Sequence, residues 1–497
     1  MGSSLATKIL KVSAWSLALV NFWVFSRFTV DDAYITWRYG RNLIENGVWN
    51  YNPTTFDPTQ SYTNPIFALV SIIPASLGIN VVLFFKILTL AATVAFLIYF
   101  LRRRPEANLP LALFFALPAT VIHIFSGLET FLFVSLVFLL FLAIKNSDVK
   151  LAVVATLFLL ITRPESILFL GLVPVFLSVE FVHGKIKIQW KRLLLVATIL
   201  FTFAATLFVA NIWLFGEALP NSVFVKSGQF FVSGTFLLWL LWLLPLIPVV
   251  LLKQFKLALF ALAFYLPVAL NYSTSNLTMN YASRFAFQIY APIALLAIYV
   301  IANKTNQQKL ASLFAAWKLP KAFAGLLTPI VALGFAVPSL DPANLDLITY
   351  SHRLQAAHGD LGRVAGKLHA EGVVQATAIT DAGIFAFESR LPNLDFNKLG
   401  THKGAVNGIT RELVESYEVD FAVIRERYFV DSILRPYVAA KGMVHVCDAF
   451  FAPTYPMEIW APTSDPRIIK ICEQSVVASN SLNNYSNLAQ APWVEWK

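Results

Sequence analysis

The 497-residue chain has little charge: Asp, Glu, Lys and Arg together make up 13% of it. A soluble protein carries about 25%, so an ordinary soluble enzyme is excluded. No low-complexity tract and no simple internal repeat is present, and the missing repeat removes the usual mark of an inverted-repeat transporter. The first apolar run lacks a small-residue cleavage site, so it reads as an uncleaved anchor and not a signal peptide. What fills the sequence instead is apolar: 57% hydrophobic residues, with a mean hydropathy of +0.66. These values imply a polytopic membrane protein. The net charge of +10 is not a nucleic-acid signal, because much of the basic excess sits in short loops between apolar runs, where it sets topology.

Eleven runs qualify as spans: 8–29, 80–101, 109–123, 128–145, 150–162, 165–182, 192–214, 232–252, 256–271, 285–303 and 322–338. Crossing ~30 Å of hydrocarbon takes roughly 20 residues. Runs 109–123 and 150–162 fall short and stop at polar motifs, as expected of segments that end in a cavity. Every second loop is basic, from Lys8 and Lys11 through Arg102–Arg104, Lys145 and Lys150, Lys185–Arg192, Lys253 and Lys256 to Lys304–Lys321. Basic loops stay cytoplasmic, which places the N-terminus inside and the C-terminus outside. Segment 65–78 would break this alternation if it spanned, so it is expected to be re-entrant or interfacial, ended by Pro74 and Gly78.

With that topology the outer loops collect the polar motifs: DDAYITWRYGRN at 31–42, SYTNP at 61–65, HIFSGLET at 123–130, TRPES at 162–166, LPNSVFVKSG at 219–228 and NYASRF at 280–285. Titratable groups converging on one face form the pattern of an active site. Two carboxylates at a span end, Asp31 and Asp32, are costly there unless used. Arg163, Lys226 and Arg284 break the positive-inside bias. Fixed cations at a membrane cavity suit a phosphate or diphosphate. The alternative is that each snorkels to the interface or pairs with Glu165, Glu217 or Asp32. For Asp31 the alternative is an N-cap to a helix starting near Ala33. His123 is expected to be a packed polar residue at a span end.

These motifs, in this order, resemble the polyprenyl-phosphate-sugar-dependent glycosyltransferases of the GT-C superfamily, closest to the arabinofuranosyltransferase group. The resemblance runs from residue 28 to about 300 and continues into DAGIFAFESRLPNLDFNKLG at 381–400. Two positions depart from the family pattern: Gly40 stands where Ala is usual, and Gln60-Ser61 replaces Glu-Gly before Tyr62, removing a carboxylate near the acceptor loop. The resemblance implies an inverting transfer of a sugar, arabinofuranose by family, from a polyprenyl phosphate to a hydroxyl of a glycan or of a secreted or surface protein such as a pilin. It would take place at the outer face of the bacterial inner membrane. Asp31 or Asp32 would be the general base, and Arg163, Lys226 and Arg284 would hold the donor phosphate. Tyr34, Arg38, Tyr62, Asn64, Glu129, Glu165 and Asn221 would contact sugar or acceptor. A divalent cation, Mg2+ or Mn2+, would have Asp32 and Glu129 as candidate ligands. The competing reading is a multi-span transporter or flippase for a lipid-linked glycan.

Residues 1–339 are therefore expected to form the membrane-embedded catalytic domain. Residues 340–497, where helical patterns alternate with short apolar strands, read as a soluble α/β domain outside the membrane. Asp381 and Gly383 read there as turn and cap residues. The two cysteines, Cys447 and Cys472, both fall in this segment. Thiols outside a bacterial cytoplasm commonly oxidise, so a disulfide is expected, two separate buried thiols being the alternative.

Overall fold

The computed structural model describes residues 5–182, 185–226, 236–275, 277, 279–320, 322–425 and 433–480. The protein is a polytopic helical membrane protein with a C-terminal sheet domain. Five helices are long and apolar enough to cross a membrane: Leu5–Phe25 (α1), Val81–Arg103, Trp190–Phe215, Phe255–Thr274 and Tyr281–Ile301, and bent pairs raise the number to at most seven. Each of the expected eleven runs contains helix, but several are too short or too bent to count as simple spans. Run 109–123 breaks before Pro118 into two helices at 82°, because a proline ring cannot continue a helix past the preceding residue. Run 165–182 ends as a helix at Ser178, and an antiparallel hairpin follows, Val179–Val182 (β1) with Lys185–Ile188 (β2). Segment 65–78 forms two six-residue helices, Pro65–Val70 and Ile72–Leu77, far below spanning length.

Burial sorts the helices. Every residue of Arg284–Ile301 is buried, so this helix runs through the centre of the bundle. Val81–Arg103 and Trp190–Phe215 bury only 17% of their apolar windows and leave the rest on the surface of the bundle. A helix that is apolar on all sides takes either position, and its neighbours decide which.

The C-terminal sheet runs in the order β4-β3-β5-β7-β6, with β3 Thr377–Ile379, β4 Asn393–Asp395, β5 Phe421–Ile424, β6 Val444–Ala452 and β7 Tyr455–Ala461. Strands β4, β3 and β5 are parallel, and β7 and β6 add an antiparallel hairpin. The parallel strands β3 and β4 require a crossover, supplied by helix Ile384–Ser389. Cys447 on β6 is bonded to Cys472 on the terminal helix Pro466–Asn480.

The two parts are joined by helix Asp31–Asn46 (α2), which lies against Ile384–Ser389. The Asp31 carboxylate accepts the Gly383 and Ile384 N–H groups at 3.1 and 2.7 Å. Farther along, Arg41 donates to the Phe387 carbonyl at 2.6 Å and Arg38 donates to the Leu391 carbonyl. An anion thus sits on the N–H end of the short helix and cations on its carbonyl end, which is the favourable polarity. Asn52 adds a reciprocal pair with the Asn393 backbone, at 2.9 and 3.2 Å, along the edge strand β4.

Candidate active site

A cavity of about 250 Å³ opens where the polar motifs meet. Asp32, Ile35 and Thr36 come from α2, Ser61–Asn64 from the following loop, and Leu128–Glu129 and Arg163–Glu165 from two span ends. Ser222, Tyr272, Arg284 and Phe285 come from later helices, and Leu399 from the C-terminal domain. The C-terminal domain is thus part of the cavity wall. Its loop is held there by Asn221, whose amide donates to the carbonyls of Lys398 and Leu399, and whose N–H donates to Gln60.

The acidic pair divides. Asp32 lines the cavity, and among the described residues its carboxylate has no hydrogen bond or ion pair. Asp31 is 4% exposed and faces the other way, into the domain junction. Adjacent residues on a helix point about 100° apart, so the two carboxylates cannot both enter the cavity. Asp31 does not cap its own helix either: Val30 is the N-cap, and the Asp31 carboxylate serves the helix that begins at Ile384. Burial pushes the Asp31 carboxyl up to about 7, against the opposing pull of His358 and the Ile384 N–H. Next to it, burial would raise Asp381 as well, but hydrogen bonds from His358 and Tyr455 and the charge of Arg425 hold it below its ordinary value.

The three expected cations also part company. Arg163 is gripped by Glu165 through a bidentate pair at 2.8 and 3.0 Å, and its remaining Nη1 donates to Glu129 at 2.9 Å. Asn64 donates to the other Glu129 oxygen at 2.8 Å, and the Tyr272 hydroxyl donates to Glu165 at 2.8 Å. One cation between two carboxylates leaves this cluster net negative, so Arg163 is a poor anchor for a phosphate. Arg284 differs. It is 5% exposed, lines the cavity and has no carboxylate within salt-bridge distance among the described residues, and its Nε has no hydrogen-bond partner. Lys226 ends the helix Asn221–Lys226, and its side chain lies outside the described residues.

Arg284 is delivered by a strained turn. Ala282 and Ser283 both take left-handed backbone, at φ 45° and 52°. For residues other than glycine this costs about 1–2 kcal/mol each. The Ala282 carbonyl accepts the His123 Nε2–H at 3.3 Å, so the buried His123 holds the turn in place.

Of the residues expected to contact sugar or acceptor, Tyr62, Asn64, Glu129 and Glu165 line the cavity, whereas Tyr34, Arg38 and Asn221 do not. Tyr34 packs edge-on against Trp37 and Phe387, and Arg38 lies over the Tyr51 ring at 4.7 Å. Tyr272 and the Ala282–Ser283 turn escape sequence reasoning, because an apolar run gives no sign of which Tyr turns inward. The candidate cation ligands do not fit a metal as placed. Both Glu129 oxygens accept N–H donors, and no group of three or more metal-ligating side chains exists among the described residues.

The fold has a solved counterpart. ArnT from Cupriavidus metallidurans, in a crystal structure with undecaprenyl phosphate bound, superposes with a TM-score of 0.53 over 93% of this chain and 99% of that chain, at 13% identity. The chain shares the fold of that protein. No protein-family model matches the chain, and no curated protein does. The cavity lies at the junction of the helical bundle with its C-terminal domain.

Proposed function

We propose that the protein is an inverting glycosyltransferase that moves a sugar from a polyprenyl phosphate to an acceptor hydroxyl at the outer face of the membrane. The observation that carries this reading is one cavity holding a carboxylate, Asp32, and a buried guanidinium, Arg284, neither of which has an ion-pair partner among the described residues. Asp32 takes the proton as the acceptor oxygen attacks the anomeric carbon. The bond from that carbon to the phosphate oxygen breaks, and the leaving lipid phosphate gains charge beside Arg284. Lys226 is the second phosphate ligand on this reading. Glu129, Glu165 and Asn64, locked by Arg163 and Tyr272, present fixed polar edges to sugar hydroxyls. The GT-C fold, and the polyprenyl phosphate in the ArnT structure, support this donor class. Arabinofuranose is proposed on motif resemblance alone, and the acceptor is proposed to be a glycan or an exported protein. The basic loops support an inner-membrane orientation with the N-terminus inside and the C-terminus outside.

The test is donor turnover. Protein purified in detergent should release polyprenyl phosphate from a polyprenyl-phosphate pentose in the presence of an envelope-glycan acceptor. A flippase would move the lipid across a vesicle membrane without cleaving it, and that result would overturn the transferase reading.

A further inference from the structure

The first turn of α2 is fastened from three sides before it delivers Asp32. Thr29 exchanges hydrogen bonds with Ser351 of the C-terminal domain, at 2.7 and 3.1 Å. The Val30 N–H donates to the Ser126 carbonyl at 3.0 Å. Asp31 accepts the Gly383 and Ile384 N–H groups, and the approach is so close that a Cβ on Gly383 would lie 2.3 Å from the Asp31 carboxylate. No real Cβ tolerates that distance, so position 383 has to be glycine for the contact to exist. Among the described residues Asp32 has no such bond of its own. The direction in which it enters the cavity is set by the backbone on either side of Asp31.

Resting on the transferase reading, we propose that Asp31 and Gly383 are positioning residues: their contact ties the C-terminal domain to the first turn of α2 and aims the Asp32 carboxylate at the acceptor hydroxyl. Neither residue lines the cavity. The C-terminal domain then acts on the reaction through backbone geometry as well as through its wall residue Leu399. A base must lie within hydrogen-bond reach of the proton it removes, and small displacements of such groups reduce rate far more than binding.

The test uses the full-length protein in nanodiscs with Gly383→Ala and, as a second variant, Asp31→Asn. Asp31→Asn keeps the shape but replaces one of the two acceptor oxygens by a donor. Each variant is checked for a retained thermal transition. The readouts are kcat and donor KM, the Kd for polyprenyl phosphate, and hydrogen exchange of the amides in residues 29–36. A folded Gly383→Ala protein should lose kcat by about 10²-fold. Donor KM and the product Kd should stay within about threefold of wild type, because binding groups are untouched. Amides at 29–36 should exchange faster while Arg284–Ile301 stays protected. Asp31→Asn should show the same split, with a smaller loss than Asp32→Asn. Wild-type kcat and exchange in both variants would overturn the positioning role alone. An Asp31→Asn loss equal to that of Asp32→Asn with normal exchange would also overturn it, by making Asp31 a base itself. Absence of donor turnover in the wild-type protein would sink the transferase reading and the positioning role with it.

Discussion

Asp32→Asn keeps the size of the side chain and removes the carboxylate that, among the described residues, lines the cavity without a hydrogen-bond partner. Loss of a general base lowers rate by ~10²–10⁴, so turnover by the folded variant should fall by that order while polyprenyl phosphate still binds. Near-normal turnover would remove Asp32 from the mechanism. Arg284→Ala should act in the opposite manner, weakening binding of the product polyprenyl phosphate as well as of the donor, measured by titration in detergent. Unchanged product affinity would mean that the phosphate sits elsewhere. Arg163→Ala separates the two arginines further. It leaves Glu129 and Glu165 buried without their cation, and breaking such a pair costs about 3–5 kcal/mol. A large drop in thermal stability is therefore expected there, against a small one in Arg284→Ala. Equal effects on stability would contradict the division between a structural and a ligand-facing cation.

The loop after β4 shows how an element can be tuned by one buried acid. Asp395 accepts the N–H groups of Asn397 and Gly400 at 2.8 and 2.7 Å and so shapes the turn that carries Leu399 to the cavity. Burial pushes its carboxyl up to about 7, against the pull of these donors. A carboxyl raised in the folded state holds its proton longer there than in the unfolded chain. Its contribution to stability is therefore full below the ordinary carboxylate range and declines as pH rises to about 7, above which it is level. Asp31, raised to about 7 as well, adds to the same trend. Thermal melts between about pH 4 and pH 8 should show a smaller decline with rising pH in Asp395→Asn than in wild type. An identical profile would mean that the carboxyl titrates normally.

For the molecule as a whole, the disulfide and the topology make a joined prediction. The Cys447–Cys472 bridge spans 25 residues, worth ~3 kcal/mol in a chain-entropy account. Cys447→Ser should destabilise the C-terminal sheet by that order, with the bundle helices unaffected in circular dichroism. A phosphatase that is active only when exported should work when fused after Lys497. An inactive fusion would reverse the orientation of the C-terminal domain.

Much of this protein is written in local sequence. Membrane class follows from composition, because stretches of apolar residues this long have few stable surroundings but lipid. Orientation was inferred from Lys and Arg spacing. The meeting of SYTNP, SGLET, TRPE and NYASRF at one cavity was legible because each sits at an end of an apolar run, and alternate ends share a face. Span geometry was less legible. Pro118 bends its run and the run after Pro164 stops at Ser178, since helix ends depend on backbone terms that hydropathy does not contain. Only the tertiary structure decided the use of each charged group. DDAYI shows two equivalent carboxylates; packing against Gly383 assigns one to the domain junction and leaves the other in the cavity. TRPES and NYASRF each show one arginine, and only the fold reveals that Glu129, 34 residues away in sequence, balances the first while no carboxylate among the described residues reaches the second. The reason is range. Hydropathy and loop charge act along a few neighbouring residues, whereas the pairing of a buried charge depends on which distant segments the fold brings within hydrogen-bond distance.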